Sequence, residues 1–102
     1  MKTPSLLHNA AAHRFEYRIG EHTAYIAYEV FPQGVLQLTH TEVPAALGGQ
    51  GIGSALVRDV LQYIEQEHLT IVPACPFIRN YIQHHTEWAS LIAPEGQRSG
   101  GS

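Results

Sequence analysis

The sequence predicts an α+β fold in one domain: a mostly antiparallel twisted sheet with a central helix after its third or fourth strand and a second helix near the C-terminus. Two observations carry this. Three successive β-type segments, the first alternating apolar and polar residues with period two, lead to a glycine run that opens a segment whose apolar residues recur every three or four positions. The length of 102 residues suits one core and is short for two.

Residues 1–12 show neither period and are expected to form a flexible arm. The first strand starts near Phe15, with Phe15, Tyr17 and Ile19 on one face and Arg14, Glu16 and Arg18 on the other, and Gly20-Glu21 closes it. Ala24 to Phe31 (AYIAYEVF) is rich in aromatic and β-branched side chains and makes a second strand, ended by Pro32-Gln33-Gly34. The third runs from Val35 to Val43, its alternation placing Leu36, Leu38, His40 and Glu42 together and Val35, Gln37, Thr39, Thr41 and Val43 opposite. Pro44 stops it, having no amide for a ladder.

After the glycines a helix is predicted over 51–68, its buried stripe formed by Ile52, Leu56, Val57, Val60, Leu61 and Ile64, with Arg58, Asp59, Gln62, Glu65 and Gln66 toward water. TIVPA (70–74) is a short β-type run. Pro76 suits the first position of a second helix, which Phe77, Ile78, Tyr81 and Ile82 continue to about His85. Residues 93–102, rich in glycine and serine, are expected to be disordered.

Composition excludes several functions. The net charge is −3 and the six basic residues are scattered, a poor match to a phosphate backbone, so no nucleic-acid partner is expected. No run approaches the roughly 18 apolar residues of a membrane span, and the N-terminus has no signal-peptide core, which implies a soluble, cytoplasmic protein without a membrane partner. Cys75 is the only cysteine, so an internal disulfide and a cysteine metal cage are ruled out, and the seven histidines lack the i, i+4 spacing of a helical ligand pair. No metal is expected.

ALGGQGIGSAL (46–56) is the most informative stretch. Glycines feeding a helix leave amides unpaired at the positive end of its dipole, and without a Cβ the main chain can approach phosphate oxygens closely. A Walker A loop would need a lysine after the last glycine, where Ser54 stands, and GGQGIG is not the GxGxxG of a dinucleotide fold. What remains is a diphosphate held mainly by backbone.

LTHTEVPAALGGQGIGSALVRDVL, followed by VPACPFIRNYI, resembles the small single-domain members of the GNAT superfamily of N-acetyltransferase-like proteins, over residues 13–92. The resemblance implies a GNAT-like fold, acetyl-coenzyme A as cofactor, and acetyl transfer to an amine, either a small molecule or a protein lysine. The family's Gln/Arg-x-x-Gly-x-Gly/Ala signature falls on Gly48-Gly49-Gln50-Gly51-Ile52-Gly53, with glycine in place of the initial Gln or Arg. By that carry-over the amides from Gly49 to Ser54 hold the pyrophosphate, and the main chain of Glu42 and Val43 pairs with the pantetheine arm where the strand splays from its neighbour.

The chemistry divides between two routes. In direct transfer, Glu42 or His40 is the base. Alternatively Cys75, preceding a helix start, becomes a nucleophilic thiolate that carries the acetyl group transiently. Tyr81, with Asn80 beside it, is the candidate acid for the departing coenzyme A thiolate. Against these stand bland roles: a core histidine, a solvated strand-end carboxylate, a small buried cysteine, and a cofactor-binding or interaction domain without catalysis.

Overall fold

The computed structural model describes residues 5–94. Its strands are β1 (Leu7–Asn9), β2 (Arg14–Ile19), β3 (His22–Phe31), β4 (Val35–Glu42) and β5 (Thr70–Pro73), and its helices α1 (Ile52–Gln66) and α2 (Pro76–His84). They form one sheet in chain order, antiparallel from β1 to β4 and parallel between β4 and β5, with α1 as the crossover.

The pattern-based elements fall close to expectation because their side chains meet a single core. Phe15 and Tyr17 of β2, Ala24, Ile26 and Tyr28 of β3, and Leu36 and Leu38 of β4 face Leu56, Val57, Val60, Leu61 and Ile64 of α1 and Ile78 and Ile82 of α2. Gly20-Glu21 makes the two-residue turn between β2 and β3. Helix α1 is shorter than the predicted 51–68 at both ends. Gly51 is its N-cap, at φ 72°, and His68 takes a left-handed conformation at φ 57° while Leu69 N–H reaches back to the Ile64 carbonyl, a Schellman closure.

Three expectations are corrected. Residues 7–12 are not a loose arm: Leu7, His8 and Asn9 pair with Glu16, Phe15 and Arg14, and Asn9 then caps the turn Ala10–Ala12. Three residues are too few to show a period, and cross-strand contacts hold them instead, with the His8 ring stacked on Phe15 and its Nε2 2.6 Å from the Tyr28 hydroxyl. Residues 1–4 lie outside the described residues.

At the other end, Ala93 is buried rather than part of a disordered tail, and its amide donates to the Ile71 carbonyl at 2.8 Å while Ile92 bridges Ile71 along the β5 edge. The rest of that expectation, from residue 95 on, lies outside the described residues.

The third correction has the largest consequence. Ala27 pairs with His40 but Tyr28 pairs with Leu38, so Thr39 is an extra residue on β4, a β-bulge. Alternation restarts beyond it. Thr41, opposite Ile26, shares the helix-covered face with Leu38, and His40 and Glu42 are turned to the outer face. There they join Tyr25, Arg14, Arg18 and a carboxylate that is 0% exposed, Glu16. Arg14 and Arg18 reach Glu16 at 2.7 and 3.0 Å, and Asn9 donates at 3.2 Å.

Candidate functional site

The site assembles where β4 and β5 part. Their parallel pairing ends at Leu38 and Pro73, and the amides of Ala74 and Cys75 both close on the Leu38 carbonyl as the chain turns into α2. Residues 40–42 still pair with β3, so beyond Leu38 the other edge of β4 has no strand beside it among the described residues.

The glycine turn borders this gap. The first intrahelical bond of α1 runs from Ala55 N–H to the Gly51 carbonyl at 3.0 Å, so the amides of Ile52, Gly53 and Ser54 have no helical acceptor. Gly49 and Gly51 are needed for their positive φ angles, 77° and 72°, since an added Cβ would meet nothing within 4 Å. Gly53 is needed for space: a Cβ there would lie 3.1 Å from Phe77 Cζ and 3.4 Å from Val43 Cγ2. Gly48 differs from its neighbours, its amide being engaged with the Ala45 carbonyl.

A cleft of about 240 Å³ opens over this turn, lined by Val43, Leu47, Gly48, Gly49, Gly51, Ile52, Gly53, Ser54 and Phe77. A second, of about 260 Å³, continues past Ser54 and Phe77 to Asn80, Tyr81 and His84. Val43, the glycines, Ser54, Asn80 and Tyr81 are therefore brought to one groove, while Gln50 is exposed in the turn itself.

Cys75 is the N-cap residue of α2 and 6% exposed. Its Sγ lies 3.4 Å from Thr41 Oγ1. Burial alone would raise its pKa, but the Thr41 hydroxyl and the amides of Ile78, Phe77 and Thr41 outweigh burial and bring the thiol below its ordinary value.

His40 and Glu42 remain together, Nε2 to Oε1 at 3.0 Å, with side chains 56% and 50% exposed. The structure corrects the face expected for them: neither residue faces the helix side on which Cys75 meets Thr41, and His40 does not take the bland role of a core histidine. Tyr81 lies on α2, of which Cys75 is the N-cap. It stacks on His85 at 4.1 Å and feels Arg58 and Asp59 of α1; burial is the main cause of its raised pKa, which keeps the phenol protonated. It shares a groove with Ser54, whereas Cys75 faces β4.

Sequence reasoning missed Thr41 and Phe77. Thr41 was assigned to the face opposite Leu38, and no local signal marks a bulge at Thr39. Phe77 enters the sequence reading only through the apolar spacing of the second helix, yet it is 43% exposed and forms a wall of both clefts. A larger apolar cleft, about 520 Å³, lies between β5, α2 and the turn Thr86–Leu91, and none of the sequence-predicted site residues lines it. Among the described residues, no helix is long and apolar enough to cross a membrane, and no cluster of three or more His, Cys, Asp or Glu residues is placed to hold a metal ion.

Comparison with known proteins gives the family and the fold. Residues 14–91 match the model of the GCN5-related N-acetyltransferase family. Mouse (Mus musculus) protein NATD1 is 31% identical over 80 residues, covering 76% of this chain and 73% of the relative. Human (Homo sapiens) protein NATD1 is 32% identical over 62 residues, 61% of this chain and 55% of the relative. The solution structure of a GCN5-like protein from Staphylococcus aureus superposes over the whole of both chains with a TM-score of 0.68 at 20% identity, a likeness of fold. With its strand order, its glycine turn before α1 and a family match over most of its length, this chain belongs to the GCN5-related N-acetyltransferase family.

Proposed function

We propose that this protein binds acetyl-coenzyme A and transfers its acetyl group to an amine by way of Cys75. The observation that carries the reading is the convergence, at one gap between β4 and β5, of unpaired helix-start amides, an open strand edge and a thiol with lowered pKa. The residues fit the group: Gly49, Gly51 and Gly53 put no Cβ on the turn, the amides of Ile52, Gly53 and Ser54 have no helical acceptor and suit a diphosphate, and the β4 edge at Glu42 and Val43 offers main-chain partners to an amide-bearing arm.

Acetyl-coenzyme A supplies the activated thioester. With the carrier held by the amides from Gly49 to Ser54 and the β4 edge, the Cys75 thiolate would attack the thioester carbonyl, forming a bond from Sγ to the acetyl carbon as the bond to the carrier sulfur breaks and that leaving thiolate takes a proton from solvent. A neutral amine then attacks the acetyl carbon on Cys75, the cysteine thiolate is restored, and the amine proton passes to His40, which Glu42 orients and balances. The amine approaches from the outer face, where His40 and Glu42 are exposed, and reaches Cys75 through the gap between the strands. Tyr81 and Asn80 line the carrier groove in this scheme.

A second reading, a coenzyme A-binding module without transfer, draws on the outer face: both helices pack on the opposite side, and none covers His40 and Glu42 among the described residues. The two separate by experiment. Wild type should release coenzyme A in the presence of an amine panel and accumulate a +acetyl mass on Cys75 in its absence. Cys75→Ala should still bind coenzyme A, raising its melting temperature, but transfer nothing. Binding without acetyl transfer in wild type would favour the module, and absence of binding would refute both.

A further inference from the structure

We infer that Thr41 is the positioning residue for Cys75, its hydroxyl donating to the sulfur and holding it at the mouth of the gap between β4 and β5. This deepens the proposed function, on which it rests for the role of Cys75.

The argument begins with the bulge. With strict alternation along β4, His40 would follow Leu38 onto the helix-covered face and Thr41 would point outward. The extra residue at Thr39 inverts that, and Thr41 arrives opposite Ile26 with Oγ1 3.4 Å from Cys75 Sγ, the two residues standing 34 positions apart in the chain. Thr41 is also where β4 has lost its neighbour on the β5 side, so its side chain meets Cys75 at the parting of the two strands. The hydroxyl thus reaches the sulfur from β4, while the side chain of Cys75 makes no cap bond to the first turn of α2.

The direction of the hydroxyl follows from chemistry. A thiol can donate to the threonine oxygen or accept from it, but a thiolate only accepts, so in the reactive form the threonine proton must point at sulfur. The groups acting on sulfur are neutral dipoles. The Arg79 guanidinium is committed to the Ala74 carbonyl at 3.0 Å, and His40 and Glu42 are paired on the other face of the sheet. A valine at position 41 keeps the shape of threonine and removes the one side-chain donor.

Because Cys75 is the only cysteine, its thiolate can be followed directly in the whole protein, without acetyl-coenzyme A, by ultraviolet absorbance and by the pH dependence of iodoacetamide alkylation. For Thr41→Val the midpoint should move up by about one pH unit and the rate near neutral pH fall about tenfold, the loss of one charge-assisted hydrogen bond. Thr41→Ser should restore the wild-type midpoint. A Thr41→Val profile that overlays wild type, or a serine variant that behaves like the valine one, overturns the assignment. Should the valine variant fail to fold by circular dichroism, wild type decides: a midpoint at or above that of an ordinary cysteine refutes it, and a lower one that Thr41→Ser preserves upholds it. A low, Thr41-dependent midpoint in a protein that transfers no acetyl group would uphold Thr41 and refute the proposed function.

Discussion

Gly53→Ala separates the fold from the proposed carrier site most cleanly. The residue lies in the first turn of α1, where replacing glycine by alanine gains up to about 1 kcal/mol of helix propensity. Against that, the new Cβ would stand 3.1 Å from Phe77 Cζ, inside the roughly 3.5–4.0 Å of a comfortable carbon contact. The contact is with the far end of a ring that is 43% exposed, and a movement of a few tenths of an ångström relieves it. The two effects offset, and stability should stay within about 1 kcal/mol of wild type, or some 4–8 °C in melting temperature. The added methyl and the displaced ring, however, fill the cleft bounded by Val43, Ser54 and Phe77. Affinity for coenzyme A should fall at least tenfold, about 1.4 kcal/mol, by isothermal titration calorimetry. Unchanged affinity in a folded variant would refute the placement of the diphosphate. A loss of more than about 2 kcal/mol of stability would instead refute the offset between propensity and contact on which the prediction rests. Gly51 is a poorer choice, since at φ 72° any side chain strains the backbone of the free protein.

Glu16→Gln should destabilise by about 2 kcal/mol in urea denaturation, less than for a wholly buried ion pair because Arg14 and Arg18 reach solvent. The same carboxyl predicts a pH dependence. Burial would raise its pKa, but hydrogen bonds from Arg14, Asn9 and Arg18 bring the net value below its ordinary 4.5, so it stabilises the fold above that pH and the contribution is lost as pH falls through the lower folded value. Wild type should lose stability over that acid range and Glu16→Gln should lack that part of the slope; parallel acid limbs would count against it. Tyr17→Phe removes a hydroxyl that donates to Asp59 and lies 3.0 Å from the Ala55 carbonyl, tying β2 to α1, and should cost about 1–2 kcal/mol by thermal denaturation. A variant as stable as wild type would show that water replaces the contact fully.

Much of the architecture is legible from local pattern. Strands β2 to β4 and helix α1 announce themselves because period two and period 3.6 are properties of the backbone itself, repeated over enough residues to be read. The glycine turn is equally local, for a positive φ angle at Gly49 or Gly51 and the free amides behind them depend on the residues in the turn. Proline at the first position of α2 and the cysteine before it belong to the same class, and each is found where the chain order places it.

What the local pattern does not contain is register. A single extra residue at Thr39 exchanges the faces of His40, Thr41 and Glu42, and it is settled by which residues of β3 lie opposite, a pairing made across the sheet. Burial of Glu16 has the same origin, since its two arginines are near neighbours in the strand but Asn9 reaches it from β1, a strand too short to show a period. Gly53 is required by a ring 24 positions further along, Phe77, and so only packing reveals why no side chain fits there. The sequence by itself determined which segments become strands, helices and a glycine turn with free amides, because those depend on residues within a turn of one another. Tertiary structure alone decided which side chains of β4 meet Cys75, because that is set by distances between strands and helices that no single segment encodes.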